Sequence, residues 1–227
     1  MQNFDPNKSL IFIHVPKSGG RSVAEVAKAW FPGQFRPHYY NEQAAQMPPR
    51  HDLRALEAAG TPPVIYGHFN KLRGFGVEQY YPDVDQFMTV LRDPLELMIS
   101  NYFYVRKVAA GWQDQSRVPR GDLKDSIARD PVNMLNHFPR DVTLENYKDI
   151  IETYFVEVGL TEFLPESLRR MAEKTGKSFD PNSLEHRNAT ERDETVPDDI
   201  RDVFREAHPL EYAVYDYVRQ RYESAGR

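Results

Sequence analysis

The sequence predicts an α/β fold in which helices cover both faces of a parallel sheet. Two observations support this class: short apolar runs are followed by amphipathic helical patterns, and turn residues separate the two kinds of segment. Such alternation along a chain is typical of parallel sheets that are buried on both faces. We expect strands at 9–15, 64–67, 86–91 and 155–160, and additional helices at the C-terminal end of the chain.

The first strand leads into a glycine turn and a helix. Ser9–Val15 (SLIFIHV) is apolar and rich in β-branched residues, and Arg21–Trp30 places its apolar side chains on one helical face. The helix N-terminus offers unpaired N–H groups and the positive end of the dipole. Gly19 and Gly20 let the backbone approach a ligand closely, and Lys17 adds a positive charge. The pattern predicts an anion site, whereas a glycine pair alone would indicate only a turn.

The remaining elements follow from the same kinds of signal. Residues 47–63 carry four prolines around a short helical stretch at 52–59, which predicts a surface excursion. Asp93 and Pro94 are a typical N-cap and first helical residue, so a helix is expected to start after the third strand. Later helices are expected near 165–174, 197–207 and 209–222.

Composition limits the function classes. The 227 residues suit a single domain spanning 1–227, and the net charge of −5 argues against general nucleic-acid binding. The absence of cysteine excludes disulfides, thiolate metal sites and a cysteine nucleophile. Residues 1–8 lack the apolar segment of a signal peptide, and no run reaches the roughly 18 apolar residues of a membrane span. A cytoplasmic protein without nucleic-acid or membrane partners is expected; its oligomeric state stays open.

The loop at 14–22 (HVPKSGGRS) resembles the 5′-phosphosulfate loop of the sulfotransferases, particularly the carbohydrate 2-O and 6-O type. In a nucleoside-triphosphatase P-loop the lysine follows the glycines, whereas here it precedes them. The resemblance implies a P-loop-NTPase-like fold and the co-substrate 3′-phosphoadenosine 5′-phosphosulfate (PAPS), with no metal required. Arg21 stands where the family usually has a small hydroxyl residue. The implied donor-binding residues are Lys17, Ser18, Gly19, Gly20, Arg21 and Ser22.

A second motif, VLRDP at 90–94 followed by Ser100 and two tyrosines, resembles the family's 3′-phosphate motif. Arg92 leaves the C-terminal end of a strand, where open parallel sheets bind ligands, and a guanidinium can hold a phosphate through two hydrogen bonds. Ser100 is expected on the helix stripe of Glu96 and Lys107, where its hydroxyl could donate. The alternative is that Arg92 pairs with a neighbouring acid and Ser100 is only solvated.

His68 follows the second predicted strand in the segment YGHF. It is expected to project from the same sheet edge as Lys17 and Arg92, and the resemblance implies that it is the general base. Lys17 would stabilise the leaving group. His14 is the competing base, although its place before the loop predicts that it packs in the core. A purely structural role for His68 is the other alternative.

Weaker features concern the nucleotide and the acceptor. The segment at 184–190 (LEHRNAT) resembles a late family segment, so Arg187 is a candidate contact of the nucleotide. The predicted activity is sulfuryl transfer to a hydroxyl of a sugar or small molecule bound between 70–81 and 106–120. A kinase-like phosphotransferase and a non-catalytic nucleotide-binding module remain alternatives. The cations that could hold an anionic acceptor are Arg73, Arg106, Lys107, Arg117 and Arg120.

Overall fold

A computed structural model describes residues 1–109, 118–184, 196 and 198–224. Within these residues one five-stranded sheet has the order β2-β3-β1-β4-β5, and every neighbouring pair is parallel. The strands are β1 (Leu10–His14), β2 (Phe35–His38), β3 (Val64–Gly67), β4 (Phe87–Leu91) and β5 (Phe155–Leu160). The helices are α1 (Gly20–Trp30), α2 (Leu53–Ala58), α3 (Val77–Tyr80), α4 (Pro94–Val108), α5 (Leu123–Arg129), α6 (Tyr147–Tyr154), α7 (Leu164–Thr175), α8 (Asp198–Ala207) and α9 (Pro209–Ser224).

The core lies on both faces of the sheet because successive strand side chains point to opposite sides. In β1, Leu10 and Phe12 pack on the face covered by α1 and α7, whereas Ile11 and Ile13 pack on the other face, with α4 and α9. The predicted α/β class, with a P-loop-NTPase-like parallel sheet and helices at the C-terminal end, is confirmed. That the chain forms a single domain over 1–227 stays a prediction.

Strand β2 was not predicted from the sequence. Its four residues, Phe35–His38, include Arg36 and Pro37, and half-buried or exposed side chains interrupt any apolar pattern. The strand lies at the edge of the sheet, where it pairs with β3 alone. An edge position tolerates Pro37 because its missing N–H is not needed for a second neighbour.

The strand order places a crevice at the end of β1. The chain leaves β1 for β2 and β3 on one side of it, and then crosses to β4 on the other side. Ligands of open parallel sheets bind outside the carboxyl ends of the strands at such a switch point. The loop between β1 and α1 lies there. Among the described helices, none combines the length and apolar character required to cross a membrane.

Gly67, the last residue of β3, allows β2 to pair closely with it. A Cβ on Gly67 would lie 1.8 Å from the backbone oxygen of His38, which cannot move without opening the sheet edge. We expect Gly67→Ala to lower the free energy of unfolding by about 3 kcal/mol, the upper end for overpacking. Gly33→Ala is the control, since there only the positive φ of 80° opposes a side chain, at a cost of about 1 kcal/mol. Equal losses in urea titrations would contradict the steric explanation.

Candidate active site

The loop between β1 and α1 has an unusual backbone. Both Lys17, with φ 68°, and Gly19, with φ 73°, adopt left-handed conformations. Glycine does so freely, but a residue with a side chain loses roughly 1–2 kcal/mol. The N–H of Ser18 donates to the carbonyl of Val15 at 3.3 Å, which closes the turn. Strained residues of this kind concentrate at ligand-binding and active sites.

The N-terminus of α1 is open toward the loop. Gly19 occupies the N-cap position, so no side chain caps the helix there, and the first turn contains no acidic residue. Ser18 is buried, and its Oγ has no hydrogen-bond partner within the described part of the chain. A Cβ on Gly20 would lie 1.7 Å from Nε2 of His14, so only glycine fits beside that ring. Free N–H donors and a free hydroxyl at a helix N-terminus suit an anion.

Positive side chains gather at the same loop. Arg92 donates from Nη1 to the backbone oxygen of Lys17 at 3.0 Å, which joins the end of β4 to the loop. The Lys17 ammonium lies 4.0 Å from the centre of the Tyr104 ring. Burial lowers the pKa of Lys17, and the charges of Arg92 and Arg21 lower it further. Because these cations repel one another, a bound anion would relieve unfavourable electrostatic energy.

Arg92 also lies near an acid, as the alternative interpretation of the sequence required. Its Nη2 is 3.8 Å from Oε2 of Glu96, and the other oxygen of that carboxylate, Oε1, accepts a hydrogen bond from Arg201 of α8. Asp93 caps α4 as predicted, accepting from two backbone N–H groups of the first turn. Ser100 was expected off the apolar face of α4, on the stripe of Glu96 and Lys107, with simple solvation as the alternative; it is buried, and α5, α8 and α9 all pack on α4.

His68 follows β3 and lies between the end of β2 and the end of β1. Its Nδ1 is 2.7 Å from the backbone oxygen of His14. A carbonyl oxygen can only accept, so Nδ1 carries the proton and Nε2 bears the free lone pair of the neutral ring. Burial lowers the pKa of His68, and the hydrogen bond to His14 partly opposes this. His68 is therefore neutral near pH 7 and can accept a proton at Nε2.

His14, the competing candidate base, packs against His68. Its ring stacks on that of His68, with centroids 4.3 Å apart, and its Nδ1 lies 3.0 Å from the hydroxyl of Tyr39. Burial holds the pKa of His14 well below its ordinary value. Within the described residues His14 does not line the cavity described next, whereas His68 does.

A cavity of about 930 Å³ opens beside His68. It extends from Val15 and Pro16, at the start of the loop, to the segments after β2 and β3, and α4 forms another wall. Its lining mixes aromatic, aliphatic, amide and charged side chains. Sequence analysis did not identify several of them, because they lie in segments without a motif or, for Asn101, between the residues that a motif names: Tyr39, Tyr40, Glu42, Asn101, Asn133 and His137.

Of the candidate acceptor-binding cations that the structure describes, some line the cavity and others do not. Arg73 and Arg120 line the cavity. Arg106 instead donates to the hydroxyl of Tyr102, and Lys107 is exposed; neither is among the described lining residues. Arg117 and Arg187 lie outside the described residues, so their predicted roles stay predictions.

No protein-family model and no curated protein sequence matches the chain. Solved structures of similar fold include a sulfotransferase from Alicyclobacillus acidocaldarius (14% identity, 93% of this chain, 96% of that chain, TM-score 0.49). Mouse sulfotransferase SULT7A1 complexed with PAP is similar over 77% of this chain (14% identity, TM-score 0.45). So is retinol dehydratase in complex with androsterone and inactive cofactor PAP, over 80% of this chain (12% identity, TM-score 0.42).

The chain spans 60% of the mouse protein and 63% of the retinol dehydratase. None of the three structures is described as a carbohydrate 2-O or 6-O sulfotransferase, and that subclass stays a prediction. In the described residues, no group of three or more His, Cys, Asp or Glu side chains is arranged to hold a metal ion. All three identities are under 25% and all three TM-scores are under 0.5, so the fold, a parallel sheet flanked by helices, rests on the strand pairing of the chain itself.

Proposed function

We propose that the chain is a sulfotransferase that uses PAPS as sulfuryl donor. The observation that carries the proposal is the loop between β1 and α1. There an uncapped helix N-terminus, a buried Ser18 hydroxyl without a described partner and the cations Lys17 and Arg92 converge beside a cavity lined by His68. The loop suits the 5′-phosphosulfate end of the donor, because the N–H groups of the helix N-terminus, the Ser18 hydroxyl and the Lys17 ammonium each favour an anion.

The residues of the two motifs would share the anionic groups of the donor. Ser18, Ser22 and the N–H groups at the start of α1 would bind the 5′-phosphosulfate, while Arg92 and Ser100 would bind the 3′-phosphate. Arg21 is exposed at the helix start and would add charge there without a family role. Bound PAPS supplies the sulfuryl group. The charge of Lys17, which Arg92 and Arg21 repel, would stabilise the negative charge that develops on the leaving oxygen.

His68 would receive the proton of the acceptor hydroxyl. Its protonated Nδ1 is held by the His14 carbonyl, so the ring presents Nε2 as the accepting atom. Because the pKa of His68 is lowered, the imidazole is ready to act as a base near neutral pH. The cavity beside it would position the hydroxyl for reaction.

The acceptor would occupy the cavity of about 930 Å³. A space of this size suits a small molecule or a few sugar units, because ligand pockets generally measure 300–1,000 Å³. Aromatic side chains such as Tyr39 and Tyr104 offer exposed apolar surface, and Asn70 and Asn101 offer amide groups. We propose a hydroxylated small molecule or carbohydrate as the acceptor.

Two other functions can be separated from this one by ligand binding. A kinase-like phosphotransferase would prefer ATP with Mg²⁺, and a non-catalytic module would bind a nucleotide without turnover. The lysine before the glycines disfavours the first. A cavity beside a neutral, oriented His68 disfavours the second.

Thermal stabilisation by 3′-phosphoadenosine 5′-phosphate (PAP) tests the donor site. At a hundredfold excess over Kd, a ligand that binds only the folded state adds about 2.7 kcal/mol, roughly 5–10 °C in Tm for a domain of this size. We expect PAP to stabilise the protein more than ATP with Mg²⁺. Adenosine 5′-phosphate is the matched control: equal stabilisation by it would remove Arg92 and Ser100 from a 3′-phosphate role. Stabilisation by ATP with Mg²⁺ alone would overturn the proposal.

A further inference from the structure

Two turns beside His68 hold an ion pair that the motifs do not include. The first turn, 41–46, follows β2; backbone hydrogen bonds join Asn41 and Gln46 at 2.9 and 3.1 Å. The second, 70–75, follows β3, and there Phe75 donates to the carbonyl of Asn70 at 3.2 Å. In each turn the asparagine side chain also accepts from backbone N–H groups. Both turns are therefore well defined, although they are irregular.

Glu42 and Arg73 connect these two turns. Two nitrogens of the guanidinium donate to the two carboxylate oxygens, Nη1 to Oε1 at 2.8 Å and Nη2 to Oε2 at 3.4 Å. The guanidinium carbon also lies 4.1 Å from the centre of the Tyr40 ring and 5.3 Å from that of Phe75. Bidentate pairing together with ring contacts restricts the side chains far more than a single surface ion pair does.

The pair shares the cavity with His68. Glu42, Arg73, Tyr40 and Phe75 all line it, and the segment that carries Glu42 also carries Tyr39. The Tyr39 ring packs edge-on against His68 at 5.0 Å and 89°. The ion pair thus fastens the two turns that flank the proposed base.

The imidazoles and the phenol close to His68 are uncharged near pH 7, whereas Arg120, Arg129 and Asp130 are further charged side chains lining the same cavity. Burial lowers the pKa of His38 to about 4 and that of His137 to about 3, and it holds the pKa of His14 well below the ordinary value. Burial raises the pKa of Tyr39, which keeps its hydroxyl protonated. The charged groups with the largest effect on the His68 pKa are Arg73, which lowers it, and Glu42, which raises it.

We propose that Glu42 and Arg73 act as a positioning pair for His68: Glu42 balances the Arg73 charge and so determines how readily His68 accepts a proton. The pair acts on the base through the electrostatic field in the cavity and through the positions of the two turns, and it takes no proton itself. An unbalanced arginine beside the imidazole would make it a weaker base. An unbalanced glutamate would keep it protonated to higher pH. For its consequence in catalysis this inference rests on the proposed function, whereas its effect on His68 does not.

The test is an NMR titration of His68 in the full chain labelled with ¹³C at histidine Cε1, the resonance being assigned with His68→Ala. Glu42→Gln leaves Arg73 unbalanced, so we expect the His68 titration midpoint to shift to lower pH. Arg73→Gln leaves Glu42 unbalanced and should shift the midpoint to higher pH. The double variant should fall between them. The control is Asp83→Asn, which removes a largely exposed partner of Arg54 and should leave the midpoint unchanged.

Shifts in the same direction for the two single variants, or shifts no larger than that of Asp83→Asn, would overturn the inference. If Arg73→Gln fails to fold, Glu42→Asp is compared with Glu42→Gln, since the shorter acid keeps the charge and should restore most of the midpoint. Once an acceptor is known, the acidic limb of the pH–rate profile of each variant should shift in the same direction as its His68 titration midpoint. Opposite midpoint shifts in a protein that transfers no sulfuryl group would uphold the pair and reject the proposed function.

Discussion

Lys17→Met is expected to lower kcat for sulfuryl transfer by roughly 10²–10³-fold, the usual effect of removing one group that stabilises developing charge. Methionine keeps much of the length of the side chain and its contact surface with Tyr104, but it carries no charge. The measurement is the rate of sulfated product formation with PAPS and an acceptor found by screening hydroxylated compounds.

The control for Lys17→Met is Lys28→Met, which removes an exposed lysine near the end of α1, the helix that follows the Lys17 loop. Lys28→Met should retain full turnover. The loss in Lys17→Met should not come from unfolding, since Lys17 is repelled by Arg92 and Arg21 and its charge is costly where it lies. The Tm without ligand should therefore not fall. Undiminished turnover in Lys17→Met would exclude this residue from leaving-group stabilisation.

His68→Ala is expected to lower turnover by roughly 10²–10⁴-fold, the range for loss of a general base. Donor binding should persist, because the loop at 15–20 and Arg92 keep their own contacts. The two measurements are product formation and PAP binding by titration calorimetry. Turnover close to that of the unchanged protein would remove His68 from the role of base.

His14→Ala separates the two candidate bases. His68 is held by the backbone oxygen of His14, and alanine retains that oxygen. We therefore expect His14→Ala to lose much less turnover than His68→Ala. The reverse order would assign the base to His14. His208→Ala is the control for removing an imidazole, since the His208 ring contacts Phe204 on the α8 side of the molecule.

The elements on which the predicted site depends could be recognised because their signals are local. The apolar run of β1, the glycine pair at the start of α1 and the Asp93–Pro94 start of α4 are each carried by only a few adjacent residues. Backbone preference and capping act over such short distances. Once the strands are taken to be parallel, their carboxyl ends meet at one edge. The positions of Lys17, His68 and Arg92 at that edge follow from this alone.

Burial was harder to predict than position. Ser100 was expected off the apolar face of α4, on the stripe of Glu96 and Lys107, yet it is buried, and three helices pack on that element. Those helices come from distant parts of the chain, and a helical pattern does not show which neighbours cover each side. The same applies to β2, where Pro37 and Arg36 obscure an edge strand that exists because β3 pairs with it.

The sequence by itself determined the α/β class, the loop that would bind an anion and the residues at the ends of β1, β3 and β4. The tertiary structure alone decided the cavity and the surroundings of the base. Glu42 and Arg73 are 31 positions apart and belong to no motif, and they meet only because β2 and β3 are neighbours. His137 reaches the same cavity from still farther along the chain. Contacts between such distant residues depend on packing, which no local pattern encodes.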